Sequence, residues 1–474
     1  MKPAALFSLF LVVLAPSLLR AQSENPLTGY TGFTNSYFLP YANDPGFGTA
    51  NPDDPTVALS IGGGDFTVNL DTGSRGLYLS TDLLGSDLRT NADSFSGQIY
   101  LNSSARIFEG LWTTTPVSFD VTDQNANATT TIANIPVLDV TTLACSTNPQ
   151  PGQTNGASTT FSLKEDGPIV VMNPDGSTFT TNCIGSVTLT AGQSISYAAN
   201  ANYLAPVSNF GVGFDRTGQG TTPNTNNINQ SYNAFLNLAA MTNGSMVAGY
   251  ILETNGIQLG LTASTTNFAY TQLLPTGLSN AASLHTTPDW QAPTGTLVEN
   301  GQTNMTGQVV VDIGIGHAIM TLPGQTNGFL TNPPLEVQLL NSGGAVGYNI
   351  TTNASNLLNP QSQGTSGNVS LFPPLDGNFS ENQPPSSDNF FNTGRNVLNA
   401  FDFLYDGSNG FVGLTTNGLV STNADLSFTP GFYPNPVPEP SSGWLFALGG
   451  VAVFGYGVFQ RGRPNQKGLA TPAR

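Results

Sequence analysis

Asp71 closes an apolar, β-branched run and is followed by Thr72, Gly73 and Ser74. Asp312 follows three valines and is followed by Ile313, Gly314 and Ile315. A carboxylate in a tight turn at the end of a strand can be reached by backbone and side-chain donors, and a glycine lets the loop approach closely because it has no Cβ. Ser74 is placed to donate to Asp71, and Thr72 to bond across to a facing element. Two such carboxylates about 3 Å apart cannot both ionise, so they share one proton. In that state one carboxylate takes a proton from water while the other donates one to a carbonyl. The second turn has isoleucines where the first has hydroxyls. Ile313 cannot make the bond across, and Ile315 cannot donate to Asp312.

Positioning these turns requires strands. The segment 57–80 reads VALSIGGGDFTVNLDTGSRGLYLS, with short β-branched runs broken by glycine. The pattern predicts strands over 56–61, 66–70 and 76–80, and again over 130–138, 186–189, 246–252, 308–313 and 410–414. Helical spacing is scarce, the best being 231–241 with its Tyr, Phe and Leu residues. The expected fold class is all-β. Residues 120–205 lack persistent alternation and read as an elaboration with some strands. Residues 349–388 read as long polar surface loops.

The Asp71 segment resembles the first active-site strand and loop of the pepsin-like aspartic proteases, in which an aromatic residue follows, here Tyr78. The Asp312 segment, VVVDIGIGHAIMTLP, resembles the family's second copy with both hydroxyl residues replaced. NFGVGFDR at 209–216 resembles the apolar-apolar-glycine strand that passes beneath the first aspartate. NTGRNVLNAFDFLYDGSNGFVGL at 392–414 resembles its second-lobe counterpart, with Asn392 and Thr393 where apolar residues are usual, a further weakening beneath Asp312.

The resemblance implies a two-lobed fold, with two barrel-like lobes at 51–262 and 263–430 and a cleft between them. It implies an endopeptidase acting on polypeptide through Asp71 and Asp312, supported by Thr72, Gly73, Ser74 and Gly314, with neither cofactor nor metal. A flap is expected at 98–119, where Tyr100 would reach toward the dyad, a core or surface tyrosine being the alternative. Trp112 reads as a packing residue. The lost hydroxyls keep a second reading open, an inactive protein that uses the same fold as a binding scaffold.

The ends carry addresses. Lys2, an apolar run and Ala21 describe a secretory signal peptide over 1–21, followed by an irregular, Asn- and Pro-rich leader over 22–50. Near the other end, Val437-Pro438-Glu439-Pro440 leads into about 17 apolar residues, enough to cross a bilayer as a helix. Arginines and a lysine follow, placing the extreme end in the cytoplasm. These three elements, over 437–463, resemble the PEP-CTERM sorting signal of Gram-negative bacteria. That resemblance implies export, tethering at the inner membrane, recognition by an exosortase and delivery to the surface.

The body between the ends carries 28 acidic and six basic residues. Such a charge argues against nucleic acid or anionic lipid as a partner. Cys145 and Cys183 fit one disulfide in an oxidising compartment, with two free thiols as the alternative. Two histidines and two cysteines make a zinc cluster improbable. His285 reads as a loop residue, and no nucleophile elbow accompanies either histidine.

Overall fold

The computed structural model describes residues 30–434 apart from internal stretches, the longest being 85–93, 147–158, 199–206, 222–228, 277–287, 322–334 and 353–389. The expected signal peptide over 1–21 and sorting tail over 437–463, and His285, lie outside the described residues. Among those described, no helix is long and apolar enough to cross a membrane.

The chain is almost entirely β-structure. In its first half, Thr56–Ile61 and Gly64–Asp71 form a hairpin turned by Gly62 and Gly63 at positive φ, where a side chain would be strained. Gly64–Asp71 pairs in parallel with Ser208–Val212. That strand also runs antiparallel to Arg75–Ser80, which lies parallel to Ala128–Ser146. Arg75–Ser80 is thus flanked on both edges, by one antiparallel and one parallel neighbour, and all six of its residues are buried.

The second half repeats this plan. Thr294–Glu299 and Gln302–Val310 form the hairpin, and Gln302–Val310 pairs in parallel with Phe390–Asn392. That strand runs antiparallel to Ile319–Thr321. The result is one closed six-stranded barrel and a second, half-barrel sheet, an all-β arrangement compatible with two lobes.

Six antiparallel strands join the halves. Their order is Tyr37–Pro40, Gly256–Leu261, Val247–Leu252, Phe401–Asp406, Phe411–Thr416 and Ala269–Gln272. The order is symmetric about its centre: each half contributes a hairpin and an edge strand. One apolar core runs through it, joining Leu70, Leu77 and Phe210 of the first half to Val309, Ile313 and Phe391 of the second.

Several expectations change. The leader over 22–50 is not irregular throughout, since Tyr37–Pro40 is an edge strand of the joining sheet that also meets Arg106–Asp123. Tyr30, fully buried, donates its hydroxyl to Asp406 Oδ2 at 2.6 Å. Burial holds the Asp406 carboxyl above its usual range despite the donors around it. The helix expected over 231–241 is broken into 3₁₀ turns at Gln230–Tyr232 and Ala234–Leu236 and a single helical turn at Ala239–Thr242. Asn233 and Asn237 break it. Asn233 accepts from the Phe235 amide, and Asn237 donates to the carbonyls of Gln230 and Asn233, local bonds that compete with a continuous helix.

The elaboration after residue 120 is more ordered than its composition suggests. Arg106–Asp123 and Ala128–Ser146 form one long hairpin, extended by Ser194–Ala198, Gly167–Met172 and Thr178–Cys183 in that order. This order does not support the expected Cys145–Cys183 bridge. Cys145 lies on the first of four successive strands and Cys183 on the last, strands roughly 14 Å apart at the usual spacing, and the register sets Cys183 four residues beyond the position in line with Cys145. A disulfide needs Cα atoms within about 7 Å.

Candidate active site

The first turn is built as its residue types require. Gly73 N–H donates to Asp71 Oδ1 at 2.6 Å, and the Ser74 hydroxyl donates to Asp71 Oδ2 at 2.5 Å. Thr72 turns the other way. Its hydroxyl donates to the Val311 carbonyl at 2.6 Å and accepts from the Ile313 amide at 3.0 Å. The residue before Asp312 and the residue after it are therefore held by one side chain from the opposite half.

The second turn keeps the same backbone logic, with Gly314 N–H donating to Asp312 Oδ1 at 3.0 Å. Ile313 sends no hydroxyl back across the interface; it is fully buried in the core that both halves share. Between the two turns themselves, Thr72 supplies hydrogen bonds and Ile313 supplies apolar packing.

The two turns abut each other through their glycines. A Cβ placed on Gly73 would lie 2.3–2.5 Å from the carboxyl atoms of Asp312, and one on Gly314 would lie 2.4 Å from Asp71 Oδ1. Each glycine thus abuts the carboxylate of the opposite turn, and a side chain at either position would force that carboxylate to move. Gly211 and Gly213 play a comparable part below. A Cβ there would collide with the backbone of Arg75 and of Thr72, at 2.5 and 2.1 Å.

Asn392 corrects the sequence reading. Instead of weakening the site, its Nδ2 donates to Asp312 Oδ2 at 2.6 Å, while its Oδ1 accepts from Gly394 N–H at 2.9 Å. In the first half Asn209 has the corresponding place. Its Nδ2 donates to Tyr78 Oη at 2.5 Å and to Ser74 Oγ at 3.1 Å, and lies 3.5 Å from Asp71 Oδ2.

Charged pairs brace the turns. Arg75, next to Ser74, is buried and binds Asp289 through both terminal nitrogens at 2.7 and 3.0 Å. Gln230 Nε2 donates to Asp289 Oδ1 and to Tyr405 Oη. Burial, with Asp289 nearby, raises the Tyr405 hydroxyl well above its usual range. On the other side Arg395 pairs with Asp54, and its amide donates to the Ile315 carbonyl at 2.8 Å. Each brace ties one half of the chain to the other.

Other expected residues fall as follows. Phe95–Leu101 pairs with Arg106–Asp123 with Tyr100 opposite Ile107, so the hairpin that a flap needs is present. The Tyr100 side chain lies outside the described residues. Trp112 is fully buried, edge-on to Tyr232 at 4.9 Å and beneath Gly76, a packing residue. Asn209, Asn392, Arg75, Asp289 and Arg395 escaped the sequence reading as site residues. One signal was available for the asparagines: Asn-x-Gly occurs in both strands that pass beneath the aspartates, as Asn209-Phe210-Gly211 and Asn392-Thr393-Gly394.

No protein-family model matches this sequence, and no curated protein matches it as a relative.

Proposed function

We propose that the chain is an exported aspartic endopeptidase with a pepsin-like body, in which Asp71 and Asp312 share one proton and activate a water molecule. The observation that carries this reading is reciprocal: each turn's glycine abuts the other turn's aspartate. Water held between the carboxylates loses a proton to one of them and attacks the scissile carbonyl, whose oxygen receives a proton from the other. The tetrahedral intermediate then collapses: the carboxyl that took the water's proton gives it to the leaving amine, a hydroxyl of the intermediate returns its proton to the other carboxylate, and no covalent enzyme intermediate forms. Thr72, Gly73, Ser74 and Gly314 hold the carboxylates in place.

The substrate is polypeptide. The sorting signals propose its address: export across the inner membrane, transient tethering by the C-terminal segment, removal of that segment by an exosortase, and release to the cell surface or medium.

A second reading, an inactive surface scaffold, rests on one observation: the second turn has isoleucine at both positions where the first has a hydroxyl. Incubation of the secreted protein with unfolded casein between pH 3 and 5 separates the two. Cleavage that is inhibited by pepstatin and lost in Asp71→Asn supports the protease. No cleavage at any pH from 3 to 8 supports the scaffold.

A further inference from the structure

The two halves differ most at the third residue after each aspartate. Ser74 donates to Asp71 Oδ2 at 2.5 Å, whereas Ile315 has nothing to donate to Asp312. Yet the same oxygen of Asp312 is occupied, because Asn392 Nδ2 reaches it at 2.6 Å. The amide's orientation follows from its other bond: Oδ1 accepts from Gly394 N–H at 2.9 Å, which turns the NH₂ toward the carboxylate.

Comparison with Asn209 explains how the amide comes to lie there. Gly211 stands opposite Asp71 in the parallel register, two residues after Asn209. Asn392 stands opposite Val310, two residues before Asp312, and Gly394 follows Asn392 by two. The asparagines therefore occupy the same place in the repeated plan. In the first half the amide has two polar neighbours to satisfy, Ser74 Oγ at 3.1 Å and Tyr78 Oη at 2.5 Å, and it stays 3.5 Å from Asp71. In the second half those neighbours are absent: Ile315 replaces the serine and Ile319, seven residues after Asp312, replaces the tyrosine. Asn392 is buried, at 6% exposure, so it lacks bulk water as a partner. A buried amide must find an acceptor or lose a hydrogen bond, and among the described residues the acceptor that Asn392 Nδ2 meets is Asp312 Oδ2.

We propose that Asn392 is the positioning residue for Asp312, supplying from the adjacent strand the hydrogen bond that Ser74 supplies to Asp71 from within its own turn. The inference rests on the aspartic protease reading and changes its weak point, since the second turn is rebuilt with an amide in place of a hydroxyl. An amide N–H donates to a carboxylate at any pH at which the dyad works, so the exchange preserves the chemistry. It also predicts compensation: a hydroxyl at residue 315 makes the amide at 392 dispensable.

The test is a set of three proteins: the wild type, Asn392→Leu, and Asn392→Leu with Ile315→Thr. Crystal structures of each report the orientation of the Asp312 carboxylate. The proposal expects Leu at 392 to let that carboxylate rotate away from Asp71 and Thr at 315 to return it. A carboxylate that stays in place in Asn392→Leu overturns the proposal, whatever the activity. In the casein assay kcat falls about 10- to 100-fold in Asn392→Leu, the scale of losing one hydrogen bond to a charged group. KM changes little, the acid limb of the pH–rate profile moves to higher pH, and Ile315→Thr recovers most of the loss. A wild type that cleaves nothing refutes the protease reading, while the crystallographic comparison still decides the role of Asn392. If Asn392→Leu does not fold, Asn392→Ser keeps the test open. Its shorter side chain withdraws the amide donor, and the proposal expects the same rotation and the same rescue by Ile315→Thr.

Discussion

The first and second turns solve one problem with different residues. Around Asp71 the support is local, since Gly73 and Ser74 lie within three residues of it and Thr72 reaches out to the other half. Around Asp312 the local donor among the described residues is Gly314, and a second donor arrives from a strand 80 residues away. The first turn gives hydrogen bonds across the interface and the second gives apolar packing through Ile313. A motif that looks degenerate along the chain can thus be complete in space. What a carboxylate needs is a donor at the right distance, and the sequence position of that donor is free to vary.

The comparison breaks most visibly if the aspartates prove unequal. Asp71→Asn and Asp312→Asn should each reduce cleavage by about 10³-fold or more, the scale of acid–base catalysis. Retention of activity in Asp312→Asn alone would show that the second turn is not part of the chemistry.

Next in size is the brace behind the first turn. Asp289→Leu leaves the Arg75 guanidinium buried beside an apolar side chain, and removing one partner of a buried pair costs about 3–5 kcal/mol. Urea unfolding of Asp289→Leu should show a lower midpoint with an unchanged slope. A change under about 1 kcal/mol would mean that water reaches Arg75.

Thr72→Val tests the one-sided grip. It deprives the Val311 carbonyl of a donor and the Ile313 amide of an acceptor, at about 1–3 kcal/mol. Stability and kcat should fall together, because the same bonds hold the two turns in register. Equal loss from Ser74→Ala in stability but not in kcat would assign the hydroxyls the opposite parts.

The smallest effect concerns pH. Asp402, on the central strand Phe401–Asp406, has its carboxyl pushed up to about 7 by burial and then by Glu253. An unfolded aspartate titrates near about 4, so between these values the folded protein holds a proton that the unfolded chain releases. Folding stability therefore declines as pH rises from about 4 to 7, a bias toward acid conditions. Asp402→Asn should raise the melting temperature at pH 7.5 and leave it nearly unchanged at pH 3.5. An equal shift at both pH values would show that the effect is packing and not titration.

Much of this was legible along the chain. The all-β class followed from short β-branched runs, and the predicted strand at 56–61 has the bounds of the strand itself. The turn at Asp71 was legible because its two closest donors, Gly73 and Ser74, are adjacent in sequence. Asn392 was misread because its role depends on parallel pairing between Gln302–Val310 and Phe390–Asn392, which no local pattern encodes. Arg75 and Asp289 were invisible as a pair for the same reason, being 214 residues apart. The strand at Tyr37–Pro40 is four residues long and ends in proline, too short for alternation to register. It is fixed by its neighbours, above all Gly256–Leu261.

The central claim, that one carboxylate from each half forms a single site, is tested most directly by calorimetric titration at pH 4 with pepstatin, whose hydroxyl mimics one hydroxyl of the tetrahedral intermediate. The account predicts one inhibitor bound per chain in the wild type and loss of binding in both Asp71→Asn and Asp312→Asn. Binding that survives in Asp312→Asn, or none to the wild type, would contradict it.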